Sequence, residues 1–196
     1  MIIYGENNVI EFDNDVRFIN SRIVINGNNA NFIIGKNSNI SNANITIDGD
    51  NVNFKIGKDA YFESLYSVIS GCNTANNINV DIGDNCSFGA NMRIFAGGWE
   101  NNNLIIGDNC MCSRDVSIYT HDGHNIFDKN NYAKNSISIG NNVWLGHGSY
   151  IAKNTCLNDD TIVGAKSFVN KQFEQRNIII AGNPAKIIKK NVYFKQ

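Results

Sequence analysis

The sequence predicts an all-β fold, a parallel β-helix built as a solenoid, on three observations. An aliphatic or aromatic residue recurs every six positions, asparagine is spread from end to end, and the chain holds a single proline, Pro184. A period of six is neither the 3.6 of a helix nor a continued alternation, so each unit must be a short strand closed by a turn. Asparagine tolerates the left-handed backbone angles that such turns require.

The repeat is clearest in the C-terminal half. Successive hexads read Ile139-Gly-Asn-Asn-Val-Trp, Leu145-Gly-His-Gly-Ser-Tyr, Ile151-Ala-Lys-Asn-Thr-Cys, Leu157-Asn-Asp-Asp-Thr-Ile and Val163-Gly-Ala-Lys-Ser-Phe, and Val169 follows. A small or β-branched residue, Val143, Ser149, Thr155, Thr161 or Ser167, falls four places after each opening aliphatic. The pattern recurs at Ile82, Phe88 and Ile94 and again at Ile106, Cys112 and Ile118. Three hexads close a triangular coil of 18 residues, with the opening residues pointing inward to stack on the coils above and below.

Departures from that length locate insertions. Glycines that open equivalent turns fall at Gly35, Gly57, Gly83, Gly107 and Gly140, which gives coils of 22, 26, 24 and 33 residues. The longest coil holds an excursion of 15 residues, placed at 124–138. Gly27 and Gly49 also lie 22 apart, so the solenoid is expected to begin near the N-terminus. The expected organisation is a β-helix over residues 1–171 and a C-terminal cap over 172–196, with a short helical piece from Pro184 to Lys190 covering the open strand edges.

Composition bounds the function. The 196 residues suffice for one domain, and 42% are hydrophobic against 18% charged. A net charge of -1 offers no general attraction to a phosphate backbone, which argues against nucleic acid as a partner. The first 15 residues lack the basic start and long apolar run of a signal peptide, and no segment is apolar enough to span a bilayer. Cytoplasmic residence is the expectation. The five cysteines, Cys72, Cys86, Cys110, Cys112 and Cys156, show no paired metal spacing and suit free thiols in a reducing compartment, with Cys86 and Cys110 as small core residues.

Reactive groups on a solenoid sit on loops held against a rigid wall. The longest insertion opens with Thr120-His121-Asp122-Gly123-His124-Asn125, so two of the three histidines in the chain lie there. A hydroxyl that attacks a thioester must lose its proton as the bond forms. A neutral imidazole with a pKa near 6.5 can take it. His147, in the third position of its hexad, points to solvent or to a cofactor rather than to catalysis.

From Ile82 to Lys190 the chain resembles the galactoside, maltose and polysaccharide O-acetyltransferases of the hexapeptide-repeat acyltransferase superfamily. The resemblance is carried by Ile106-Gly-Asp-Asn-Cys-Met, by Ile118-Tyr-Thr with its histidine loop, by Ile139-Gly-Asn-Asn-Val-Trp-Leu-Gly and by Ala181-Gly-Asn-Pro-Ala-Lys. It implies a left-handed coil, acetyl-CoA as donor, a carbohydrate hydroxyl as acceptor, and a homotrimer with active sites between subunits. A loop histidine is the general base in such enzymes. His124, in its Asp-Gly-His context, fits that role best, although Asn125 stands where proline is common, and His121 is the alternative. Trp144 corresponds to a tryptophan used by the polysialic acid O-acetyltransferases of bacterial capsules, and its indole would line the donor channel and donate its N–H; packing on a neighbouring coil is its other reading. The turn amides of Gly146 and Ala165 would meet the pantetheine, and Lys166, Lys186, Lys189 and Lys190 its phosphates. Asn91, Trp99 and Tyr119 are the acceptor-side candidates. No metal is expected. Other chemistries compatible with the pattern are N-acetylation of an amino-sugar or xenobiotic, a zinc site of the γ-carbonic anhydrase kind on the three histidines, and a non-catalytic scaffold.

Overall fold

The computed structural model describes residues 1–98, 102–122 and 136–195, with 71–76 described by their backbone alone. Every regular element among the described residues is a strand. Successive strands visit three faces in rotation. The first face runs from Ile2–Tyr4 to Phe168–Val169, the second from Val9–Phe12 to Gln172–Phe173, and the third from Arg17–Ile19 to Ile178–Gly182, all pairing in parallel. This is the predicted triangular solenoid.

Alternation along each short strand puts one side chain in and the next out. The inward set, from Ile23 through Phe32, Phe54, Phe62, Phe88, Ile118 and Leu145 to Ile180, forms one continuous buried column. Because equivalent positions stack coil on coil, aromatic side chains fall into register. Phe62 and Phe88 are stacked with centroids 4.2 Å apart, and Phe32 and Phe54 at 5.5 Å. Cys86 and Cys110 are buried in this column, as expected.

The corner between the second and third faces explains the Gly-Asx-Asx motif. A Cβ on Gly107 would lie 2.8 Å from the carbonyl carbon of Gly140 on the next coil, so glycine alone allows that approach. The following Asx side chain accepts a backbone N–H from the coil before it: Asp108 Oδ1 from Asp84 at 2.8 Å, Asn141 Oδ1 from Asp108 at 2.8 Å, Asp159 Oδ1 from Asn141 at 2.7 Å. The second Asx holds the left-handed turn, as at Asn85, Asn109 and Asn142 with φ of 53° to 56°. Of the 18 described non-glycine residues with positive φ, only Lys166 is neither Asn nor Asp. The asparagine load is therefore the cost of building many identical corners.

The coil lengths read from the glycines are those of the structure, since equivalent residues on the second face pair 22, 26, 24 and 33 positions apart. The three longest coils all bulge at one corner, between the first and second faces. The extra residues lie between Ser70 and Ala75, between Gly98 and Asn103, and between Tyr119 and Ile137. Ile137 and Ser138 belong to the second face, so the excursion ends earlier than expected, and 123–135 lie outside the described residues.

The C-terminal cover differs from the expectation. Gln172–Phe173 and Ile178–Gly182 still belong to the solenoid, and Ala185–Lys190 is a strand rather than a helix, pairing antiparallel with Ile178–Gly182. An open strand edge offers that segment a full row of backbone partners, whereas six residues are too few to make a stable isolated helix.

Phe88→Ala is expected to cost ~3–5 kcal/mol in urea unfolding because its cavity lies in a fully stacked column. Tyr61→Ala, on the outer surface of the same face, is expected to stay within ~0.5 kcal/mol.

Candidate active site at the histidine corner

The strand Ser117–Tyr119 delivers the histidine loop to the enlarged corner. Its alternation continues beyond the last ladder bond. Ile118 and Thr120 are fully buried, while Tyr119 and His121 are partly exposed. Thr120 Oγ1 accepts the N–H of Gly97 at 3.1 Å, which ties the loop root to the preceding coil. Asn102, also buried, donates its side-chain amide to the carbonyl of Gly97.

Gly98 makes room for the imidazole. Its φ is +93°, and a Cβ there would sit 2.8 Å from Cβ and 3.0 Å from Cγ of His121. On the other side, Asp122 forms an ion pair of 2.6 Å with Lys153, which comes from the turn after Tyr150–Ile151 on the next coil. Tyr119 is stacked between Phe95 at 4.5 Å and Tyr150 at 5.0 Å. These rings face one another, so they present their edges to solvent.

Burial holds the His121 imidazole below the usual histidine value, Asp122 opposes that shift, and Lys153 reinforces it. Burial, with Tyr119 and Asp122 nearby, raises the Tyr150 phenol above its usual value. Burial at this corner thus favours the neutral form of the His121 imidazole and of the Tyr150 phenol.

The other candidates lie elsewhere. Trp144 is on the outer side of the third face, half-buried, with its ring 5.8 Å from that of Phe194. Its indole N–H already donates to Ser113 Oγ at 3.0 Å on the preceding coil. The Gly146 N–H is likewise engaged, with the carbonyl of Val163 at 2.8 Å. Each therefore offers surface rather than that donor in this arrangement. Ala165 and Lys166 are exposed at the next corner, with the Lys166 side chain lying over Gly148. Lys186, Lys189 and Lys190 are exposed on the terminal strand. Asn91 is a left-handed corner residue between the third and first faces, and its amide donates to Asp115 at 3.1 Å. His147 is near that same corner, 3.5 Å from the Asp115 carboxylate.

Within one chain the structure brings together His121 and Tyr119 but not Trp144 or Asn91. Trp99 and His124 lie outside the described residues. Among the described residues no group of three or more His, Cys, Asp or Glu converges as a metal site. Asn102 and Lys153 escaped the sequence reading, as did the role of Gly98 in making room for His121, although the segment Ala96-Gly-Gly-Trp-Glu-Asn that holds it reads as an acceptor wall. The adjacent glycines before an insertion were a usable signal for Gly98. Lys153 occupies an ordinary hexad turn and Asn102 is one asparagine among many, so neither is marked.

A parallel β-helix of hexapeptide coils with an inserted histidine loop is the class that fold and site define. Residues 136–171 match the family described as bacterial transferase hexapeptide (six repeats). Over 87 residues, 41% of this chain and 42% of the relative, the sequence is 33% identical to the galactoside O-acetyltransferase of Escherichia coli (strain K12). The chain spans 32% to 59% of the length of the curated relatives it matches. Solved structures extend the likeness over the whole chain. The crystal structure of the polySia specific acetyltransferase NeuO superposes with a TM-score of 0.83 at 29% identity, covering 100% of this chain and 88% of that one. The polysialic acid O-acetyltransferase OatWY gives 0.76 at 26%, covering 99% and 90%. The fold is the left-handed parallel β-helix of these neighbours, and the match to the hexapeptide family covers residues 136–171.

Gly98→Ala is expected to cost ~1–3 kcal/mol in chemical unfolding. It should also shift the side-chain NMR resonances of His121, because the new methyl and the imidazole cannot both keep their places.

Proposed function

We propose that the chain is an acetyl-CoA-dependent O-acetyltransferase acting on a hydroxyl of a bacterial carbohydrate, a polysaccharide such as a sialic acid capsule. The observation that carries this reading is the whole-length structural likeness to a polySia specific acetyltransferase and a polysialic acid O-acetyltransferase.

The chemistry of the corner fits. As the acceptor hydroxyl attacks the thioester carbonyl, a loop histidine takes its proton; collapse of the tetrahedral intermediate releases the thiol, which recovers a proton from the imidazolium. His124 is assigned this role and His121 is its alternative. The low titration of His121 favours a corner in which an imidazole is neutral at pH 7. Tyr119, stacked two residues before His121, is suited to border the acceptor. Trp99 and Asn91 are assigned with it to the acceptor side.

The donor lane is assigned to the third face. Gly146 and Gly164 lie there in a column ended by Ala181, and a Cβ on Gly164 would meet the Ala181 methyl at 2.9 Å. The small residues Gly146, Gly164 and Ala181 near Trp144 suit the approach of a slender pantetheine arm. Ala165 borders it, and Lys166, Lys186, Lys189 and Lys190 supply positive charge for the phosphates. The separation of His121 from Trp144 within one chain favours sites completed between subunits of a homotrimer. No helix among the described residues is long and apolar enough to cross a membrane. Acetyl-CoA is a cytoplasmic metabolite, and we assign the protein to that compartment.

The test is release of CoA thiol in the presence of a panel of oligosaccharides, with the acetylated product followed by mass spectrometry. His124→Ala is expected to lower kcat by about 10²- to 10⁴-fold, and His121→Ala by less. Absence of CoA binding by the wild-type protein would overturn the proposal. With a neutral histidine as base, kcat/KM rises as pH increases through the imidazole pKa and levels above it. If His121 is the base, that limb lies below 6.5, and a limb above 7 would remove His121 from the role.

A further inference from the structure

The Lys153–Asp122 pair is not explained by the repeat. At other third positions Asp108, Asn141 and Asp159 cap a backbone N–H one coil back, whereas Lys153, with its side chain 22% exposed, reaches back to a carboxylate at the root of the histidine loop. Its ammonium is 2.6 Å from the Asp122 carboxylate. Asp122 follows His121 directly, so a restraint on one restrains the backbone of the other. Gly98 bounds the imidazole from the preceding coil, and Thr120 is locked into the core. These contacts leave little choice in how His121 enters the corner.

We propose that Lys153 is a positioning residue of the histidine corner: by holding Asp122 it sets the direction of His121 over Gly98. The proposal rests on the reading of this corner as the site of acyl transfer. Among the described residues, the charged groups that bear on His121 are Asp122 on its own segment and Lys153 on the next coil. Tyr119 and Tyr150 stand beside them on the first face, and the preceding coil contributes Gly98, without a side chain. In the pair, the ammonium disfavours protonation of His121 and occupies the one neighbouring anion that would favour it. Removing the ammonium reverses both influences, so the imidazole must become easier to protonate. A rise of one unit in its pKa lowers the neutral fraction on the acid side about tenfold.

The experiment compares wild type, Lys153→Met, Lys153→Arg and Asp122→Asn in the full chain. Titration of the His121 imidazole by NMR, which needs no substrate, is expected to move upward in Lys153→Met and to return toward wild type in Lys153→Arg. In CoA-release assays kcat is expected to fall while KM for acetyl-CoA stays unchanged, and where His121 is the base the acid limb of kcat/KM moves upward with the titration. The Lys153→Met and Asp122→Asn effects on kcat should be non-additive, as for two members of one pair. An unchanged His121 titration in Lys153→Met, with the protein still folded, would overturn the proposal. So would a shifted titration with an unchanged kcat. If wild type transfers no acetyl group, the functional reading falls, and the titration alone decides the role of Lys153.

Discussion

Everything in this molecule depends on the spacing at which its coils stack. Parallel ladders hold adjacent backbones about 4.7–4.9 Å apart, and at the corner between the second and third faces this leaves no space for a Cβ at Gly57, Gly83, Gly107 or Gly140. Once coils are that close, side chains at equivalent positions become neighbours. An Asx carboxylate or amide then caps the N–H one coil away, phenylalanines stack on phenylalanines, and inward aliphatics fill one continuous column. Local turn chemistry and long-range packing ask for the same residues, which is the consistency expected of a sequence that specifies one fold.

That constraint also explains why the solenoid is legible in sequence. Gly107-Asp108-Asn109 carries three requirements in order: close approach, a cap and a left-handed turn. The intervals between such motifs give the coil lengths, because each residue added between them must leave the ladder. Less is legible where a rule is satisfied by tertiary context. The segment Ala185–Lys190 has the composition of a helix, yet the unpaired edge of Ile178–Gly182 recruits it as a strand. The corner on which all three large insertions converge was not read from their lengths, since it depends on which face each coil has reached when it departs.

The candidate site divides in the same way. The histidine loop stands out because imidazole is scarce in this chain and the longest insertion carries two. The groups that shape the corner stand out less. Gly98 is marked only by the glycine beside it, and Lys153 is one lysine in an ordinary hexad. They act through contacts between coils, which sequence position does not disclose. Trp144 shows the converse. Its motif is conspicuous, but the structure commits its N–H to Ser113 and its ring to the neighbourhood of Phe194. The solenoid supplies a rigid wall, against which the proposal places the reactive group at the enlarged corner and the donor along the third face.

The central claim, that acyl transfer takes place at the enlarged corner, is tested most directly by a crystal structure of the protein with a non-hydrolysable acetyl-CoA analogue. The account predicts the pantetheine along the strip beside Trp144 and Gly164, with the acyl carbonyl ending next to a loop histidine at the corner that holds Gly98 and Lys153. An analogue whose acyl end lies away from both loop histidines, in every subunit of the assembly, would contradict it.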